Sequence, residues 1–314
     1  MGKIAFLFPG QGSQTVGMGK ELYDSNFSVK GIFQEADTSL DFPLSSLIFE
    51  GPQEKLTLTT NAQPALLTTS IAILQKVKEY EIKPDYVAGH SLGEYSALVA
   101  ASAINFSDAV KIVRKRGEYM EEAVPHGKGT MAAILGLNRD KLKEITNYIT
   151  ETVSTVQLAN LNCPGQIVIS GTKEAVEKAC QLAKEHGARR ALPLDVSGPF
   201  HSSLMEPASS RLAEILNTYK FRHASIPVVS NVTAELVLDA DEIKDLLVKQ
   251  LYSPVLWEDS VRKMLELNVD TFIEIGPGKV LTGLVKKIDR SVRAYSIFDE
   301  ASLMKTIQEV KGGE

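Results

Sequence analysis

Apolar and polar positions recur along this chain with the periods of buried strands and amphipathic helices. Ile4 to Phe8 is an unbroken apolar run, the mark of a strand covered on both faces. It stops at Pro9-Gly10-Gln11-Gly12-Ser13-Gln14, where two glycines free the backbone to bring amide groups close to a ligand. The lysine and hydroxyl residue of a phosphate loop are missing there, and a plain strand-to-helix turn explains the same residues. A mixed polar region with helical patches reaches to about Thr60. Asn61-Ala62-Gln63-Pro64 then opens a helix, Ala65 to Tyr80, with proline in its first turn and Leu66, Leu67, Ile71, Leu74 and Val77 on one face. A short strand, Asp85 to Ala88, runs into a small-residue helix, Leu92 to Ala101. Ser107 is expected to cap a long helix, Asp108 to Val124, with Val110, Val113, Gly117, Met120 and Val124 as its buried stripe.

From Gly129 the pattern changes. Met131 to Leu135 reads as a strand, Arg139 to Tyr148 as a helix, and Val156 to Leu161 and Gln166 to Ser170 as strands. Lys173 to His186 follows as a helix and Arg189 to Val196 as a strand. That order, β-α-β-β-α-β, is the ferredoxin-like unit. Residues 129–197 are therefore expected to form a small inserted domain, splitting a larger α/β domain into 1–128 and 198–314. Its Asn162-Cys163-Pro164-Gly165 turn links the middle strands and is expected to face the cleft between the domains. Beyond it come a strand at Ile226 to Ser230, a helix from Asp241 to Tyr252, and Thr271 to Ile275 as the last clear strand. Gly276-Pro277-Gly278, better read as a tight turn than a phosphate loop, precedes a helix from Lys279. The tail, Lys311 to Glu314, is expected to fray.

Composition narrows the classes. The 314 residues, 44% hydrophobic and 23% charged, suit a soluble globular protein with a sizeable core. A net charge of -5 argues against a nucleic-acid footprint. No apolar run approaches the roughly 20 residues of a membrane span, and the N-terminus does not read as a signal peptide. Two cysteines, Cys163 and Cys180, make neither a disulfide framework nor a structural zinc site, which fits a reduced, cytoplasmic protein without a metal.

Candidate chemistry centres on Gly89-His90-Ser91-Leu92-Gly93, a G-x-S-x-G sequence between a strand and a helix. Such a bend exposes a serine hydroxyl above a sheet, and the helix N-terminus lends positive potential to an oxygen turning negative. Chance alone supplies roughly 0.1 such matches in a chain of this length, so the serine needs partners. His201, in Gly198-Pro199-Phe200-His201, returns the chain to the large domain just beyond the hinge, where ligand clefts are common. His90 adjoins Ser91, but neighbours at a tight elbow point in different directions, so it is the poorer base. His126, His186 and His223 lie in polar, loop-like surroundings. In Arg114-Lys115-Arg116, Lys115 points away from the buried stripe and the two arginines flank it. Either arginine is placed to clamp a carboxylate at the helix edge, and periodicity does not choose between them.

Gly10-Gln11-Gly12-Ser13, Gly89-His90-Ser91-Leu92-Gly93-Glu94, Arg114-Lys115-Arg116-Gly117 and Gly198-Pro199-Phe200-His201 occur in an order that closely resembles the malonyl-CoA:acyl carrier protein transacylase family. Gln250-Leu251-Tyr252-Ser253-Pro254-Val255 and Glu274-Ile275-Gly276-Pro277-Gly278 extend the resemblance over nearly the whole chain. It implies an α/β-hydrolase-like core with a parallel sheet and the ferredoxin-like insertion reached above. It also implies Ser91 as nucleophile, His201 as base, and the backbone N–H groups of Gln11 and Leu92 as oxyanion hole. Arg116, directly before glycine, becomes the carboxylate-binding arginine, and Gln250 supports the histidine in a Ser-His dyad. Asp195 has no such role in the family pattern, while Gln11, His90, Asn162 and Phe200 are expected at the substrate. The implied reaction moves malonyl from malonyl-CoA to acyl carrier protein without a cofactor, in bacterial type II fatty acid synthesis, by a cytoplasmic monomer.

Three other readings compete. An esterase or thioesterase would use the same serine and histidine with water as acceptor, and would not need Arg116. A catalytically silent carrier-binding subunit would form no covalent adduct. The same transfer serving a polyketide synthase is not separable by sequence. Arg189, Arg190, Lys286 and Lys287 are candidate contacts for an acidic carrier.

Overall fold

The unbroken apolar run at the N-terminus is covered on both sides. Phe6 and Phe8 belong to one buried cluster with Leu66, Tyr95 and Val113, while Ala5 and Leu7 face a second cluster containing Trp257, Val261 and Leu284. This strand, β1 (Lys3–Phe8), lies inside a six-stranded sheet in the computed structural model, which describes residues 2–125 and 127–312. Helices α1 (Lys20–Ser25), α2 (Phe27–Leu40), α3 (Leu44–Glu50), α4 (Gln53–Thr57) and α5 (Thr59–Lys78) follow it. Then come β2 (Tyr86–Gly89), α6 (Gly93–Ala100) and α7 (Phe106–Ala123). A second group comprises β3 (Gly129–Leu135), α8 (Arg139–Thr152), β4 (Val156–Cys163), β5 (Gln166–Thr172), α9 (Lys173–Glu185) and β6 (Arg190–Pro193). The chain continues through α10 (Glu206–Thr218), β7 (Val228–Val229), β8 (Leu236–Val237), α11 (Ala240–Gln250) and α12 (Trp257–Glu266). It closes with β9 (Val269–Ile275), α13 (Val280–Ile288), β10 (Arg293–Ile297) and α14 (Glu300–Lys311).

The large sheet runs β10-β9-β1-β2-β7-β8, parallel throughout except for the edge pair β7–β8. Parallel strands end on one edge, so the segments after β1, β2 and β7 emerge side by side, where open α/β sheets place their sites. The small sheet runs β4-β5-β3-β6, every neighbour antiparallel, which is the ferredoxin-like order. Period-two alternation sends Ala132, Ile134, Ile167 and Ile169 into a cluster with Leu142 of α8 and Val176 of α9. Met131 and Val168, on the opposite face, join the large core instead. Among the described residues no helix is long and apolar enough to cross a membrane.

Several elements depart from the sequence reading. α5 begins at Thr59, so Pro64 sits inside the helix rather than in its first turn. Pro64 offers no N–H to the Thr60 carbonyl, and this turn is anchored separately by Thr60, whose N–H (3.3 Å) and hydroxyl (2.6 Å) donate to the Glu121 carboxylate. Ser107 is not a cap: buried Phe106 extends α7 one residue past it, and Asn105 takes the N-cap position. Thr271 to Ile275 is not the last strand, because β10 pairs in parallel with β9. β10 is mostly half-buried and carries Arg293, Tyr295 and Ser296, so it has no apolar run to read. Lys311 ends α14 instead of fraying, while Gly313, Glu314 and His126 lie outside the described residues.

Candidate active site

The elbow after β2 needs its two glycines for space. A Cβ on Gly89 would come within 1.9 Å of the Gly93 carbonyl, and one on Gly93 within 2.1 Å of the Phe8 oxygen. Strand and helix therefore meet at backbone distance, and Ser91 between them is forced to φ 51, a left-handed conformation that costs a non-glycine residue about 1–3 kcal/mol. The bend is pinned from outside. The Asn231 side chain accepts from the Ser91 N–H at 2.7 Å and donates to the Gly89 carbonyl at 2.7 Å. Gln250 Nε2 donates to the Ser91 carbonyl at 3.0 Å and to Glu94 Oε2 at 2.7 Å, and Glu94 Oε2 also accepts from the Asn231 N–H at 3.2 Å.

Above this frame Ser91 Oγ sits 2.8 Å from His201 Nε2 and 3.2 Å from Arg116 Nη2. His201 is itself held at φ 58, its N–H on the Leu251 carbonyl (3.1 Å) and its Nδ1 2.8 Å from the Gln250 carbonyl. That carbonyl only accepts, so the proton rests on Nδ1 and Nε2 presents a lone pair to the serine. Burial, with the Arg116 charge nearby, pushes the His201 imidazole down to about 3, so it stays neutral at physiological pH. Asp195 borders the cavity but supplies no hydrogen bond to His201 among the described residues.

Arg116 is 1% exposed, and its guanidinium meets neutral oxygens: Gln63 Oε1 at 2.7 Å, Gln250 Oε1 at 2.9 Å and Ser91 Oγ. Burial lowers its pKa, yet a guanidinium stays charged in a protein. Arg114 instead bonds Asn61 Oδ1 (2.7 Å) and pairs with Glu118. Of the two flanking arginines, only Arg116 turns inward to the serine.

A cavity of about 370 Å³ opens over Ser91 and is bordered by Gln11, His90, Asn162 and Phe200. The expected substrate-side residues are thus together. His90 Nε2 lies 2.9 Å from Asn162 Oδ1, joining the elbow to β4 of the small sheet. Gln11 and Leu92 line the same cavity, and among the described residues neither backbone N–H has a protein acceptor. Two free amides beside a serine can receive a developing oxyanion. Of the basic candidates, Arg189 and Arg190 are exposed, Lys287 Nζ bonds Gln166 Oε1 (2.9 Å) at the cavity, and Lys286 Nζ is tied to the Val292 carbonyl.

Sequence reasoning missed Asn231, Glu94 and Gln63. Asn231 was discoverable: it follows β7, and polar residues just past parallel strands border the site in this architecture. Glu94 directly follows the G-x-S-x-G sequence, which assigns it no chemistry, and Gln63 precedes Pro64 where the sequence signals only a helix start.

The acyl transferase domain family matches residues 5–311. The malonyl CoA-acyl carrier protein transacylase of Bacillus subtilis (strain 168) is 60% identical over 99% of this chain and 98% of that protein. The crystal structure of malonyl CoA-acyl carrier protein transacylase from Clostridium perfringens superposes with a TM-score of 0.96 at 44% identity, covering 99% of this chain and 98% of that one. A malonyl-transacylase solved in complex with a holo type II PKS acyl-carrier protein gives a TM-score of 0.95 at 43% identity, covering 98% and 99%.

Proposed function

The chain belongs to the acyl transferase domain family, and on that premise we propose that it moves malonyl from malonyl-CoA to the phosphopantetheine thiol of an acyl carrier protein by way of a malonyl-Ser91 ester. The observation that carries this reading is the position of one atom. Ser91 Oγ lies between a neutral imidazole nitrogen and a guanidinium that no carboxylate pairs with among the described residues.

The steps follow from those contacts. His201 Nε2 takes the Ser91 hydroxyl proton as Oγ attacks the thioester carbonyl carbon. The oxyanion forms against the N–H groups of Gln11 and Leu92, where losing one donor typically costs about 10²–10³ in turnover. The C–S bond then breaks and the imidazolium returns its proton to the departing CoA sulfur. In the second half the carrier thiol gives its proton to His201, its sulfur attacks the ester, and Ser91 recovers the proton. Because burial disfavours imidazolium so strongly, His201 is charged only while an oxyanion balances it. Arg116 meets the malonyl carboxylate with a planar fork that an acetyl group leaves empty. Gln250 supports the dyad with its backbone carbonyl, and Phe200 and the His90–Asn162 pair wall the acyl site.

The same reading takes residues 129–197 as a domain inserted into a core of 1–128 and 198–314. It has the enzyme working in the cytoplasm, as a monomer and without a cofactor, for fatty acid synthesis. Malonyl-CoA supplied with and without carrier tests it: intact-mass spectrometry is expected to show a malonyl adduct that Ser91→Ala abolishes and carrier discharges. Rapid CoA release with no acceptor present would establish a thioesterase, and absence of any adduct a silent binding subunit. Exchanging a fatty acid carrier for a polyketide carrier decides the pathway.

A further inference from the structure

Arg116 poses an electrostatic problem that its direct contacts leave open. A guanidinium 1% exposed to solvent, touching only neutral oxygens, needs a balancing charge. Glu94, 3% exposed, is the nearby carboxyl, and its Oε2 reaches the Gln250 amide rather than the guanidinium. Gln250 stands between the two, with Oε1 on Arg116 at 2.9 Å and Nε2 on Glu94 at 2.7 Å. We propose that Glu94 is the counter-ion of Arg116, kept one amide away by Gln250, and that it sets how strongly Arg116 grips a substrate carboxylate. The inference rests on the proposed function, in which Arg116 receives the malonyl carboxylate. Glu94 touches no substrate and acts through its neighbours.

Separation by an amide has a specific effect. A direct ion pair would set a charged acceptor on the donors that the substrate needs, whereas a carboxylate one residue further back steadies the charge and leaves those donors on the neutral oxygens of Gln63, Gln250 and Ser91, which a substrate carboxylate displaces more readily. A malonyl carboxylate then competes with Glu94 for one cation, and the two anions repel. By linkage, malonyl binding draws a proton from solvent onto Glu94, and the grip tightens as Glu94 becomes neutral. Burial already pushes the Glu94 carboxyl up to about 7, against the Gln250 and Asn231 hydrogen bonds and the Arg116 charge that pull it down. The other ionisable groups of this cluster stay out of the way: burial raises Tyr95 and lowers His90 and His201, so all three are neutral near pH 7.

The test compares kcat/KM for malonyl-CoA and acetyl-CoA from about pH 6 to about pH 8.5, well above the ordinary titration of the malonyl carboxyl. The CoA phosphates are common to both esters and cancel in the ratio. In the wild type the malonyl-to-acetyl ratio is expected to rise by about tenfold or more toward the acid end, as for like charges about 10 Å apart at an effective dielectric of about 20. Glu94→Gln, isosteric and uncharged, is expected to hold that high ratio at every pH. A purely structural role would lower both substrates together. A flat wild-type ratio, a slope that survives in Glu94→Gln, or a variant with a reduced ratio overturns the counter-ion role. A flat wild-type ratio overturns the counter-ion role even if the variant does not fold. Failure of the proposed function reads differently, as absence of any malonyl adduct on wild-type Ser91.

Discussion

Asn231→Ala removes a side chain that never faces the substrate, and its cost can be worked from two contacts. The Ser91 N–H and the Gly89 carbonyl each lose a 2.7 Å partner in a place where Asn231 itself is 0% exposed. Leaving a buried donor or acceptor unpaired costs about 1–3 kcal/mol, so the pair amounts to roughly 2–6 kcal/mol of stability. A second loss is catalytic. Ser91 keeps its left-handed φ of 51 because the frame around it outweighs the strain, and without Asn231 the elbow is free to relax. A shift of about 1 Å in a reacting atom costs on the order of 10²-fold in rate. Thermal melting measures the first effect, and the single-turnover rate of malonyl-Ser91 formation, followed by intact mass, measures the second. A lower melting temperature and an acylation rate down by about two orders of magnitude are expected. An unchanged acylation rate would refute the pinned-elbow reasoning, whatever the melting point.

Three further expectations follow from the same geometry. In the proposed malonyl complex Arg116→Ala deletes two charge-assisted hydrogen bonds to the substrate carboxylate, worth about 1.5–3 kcal/mol each, so malonyl transfer is expected to fall about 10²–10⁴-fold and acetyl transfer far less; equal losses in paired assays would remove Arg116 as the carboxylate clamp. For His201, whose pKa of about 3 lies below the unfolded value, kcat/KM is expected to show no acid limb near the ordinary imidazole value of about 6.5. The sign for stability is set by the unfolded chain, which binds the extra proton first, so this group's contribution is lost as pH falls through that window toward 3, and Ser91→Ala protein melted across it serves as the check. Gly93→Ala drives a Cβ to 2.1 Å from the Phe8 oxygen, a backbone atom that cannot swing aside, so soluble yield and melting temperature are expected to fall together; wild-type melting would disprove the close approach.

Much of this was legible in the residues because the two sheets carry different periods. β1 reads as buried on both faces, and β3 to β6 with α8 and α9 reproduce the predicted order. What escaped was amphipathic or polar. β10 sits at the edge of the large sheet with mostly half-buried side chains, and α12 hides its apolar positions, Trp257, Val261 and Met264, among charges. At the site, Ser91 and His201 stood out because the proposed chemistry demands those residue types, whereas the choice of Arg116 over Arg114 came from the family resemblance. Gln250 was assigned support of the histidine, yet it does this with a backbone carbonyl while its side chain serves Glu94 and Arg116. Asn231 and Glu94 act by holding backbone groups and amides, which no spacing reveals.

The seam between the two sheets has a bearing on engineering. Val255 and β4 exchange backbone hydrogen bonds, Val255 N–H to Ala159 at 2.8 Å and Leu161 N–H to the Val255 carbonyl at 2.9 Å. A few residues upstream, the carbonyls of Gln250 and Leu251 grip the His201 ring and backbone. The small sheet is thus spliced to the segment that holds His201, besides reaching the elbow through Asn162. A chimera that exchanges 129–197 for a relative's segment is expected to inherit a new registration of His201, so altered acyl selectivity and lost turnover are expected as one trait. Grafts that carry residues 250–255 along with 129–197 are expected to keep the seam and His201 in their original register.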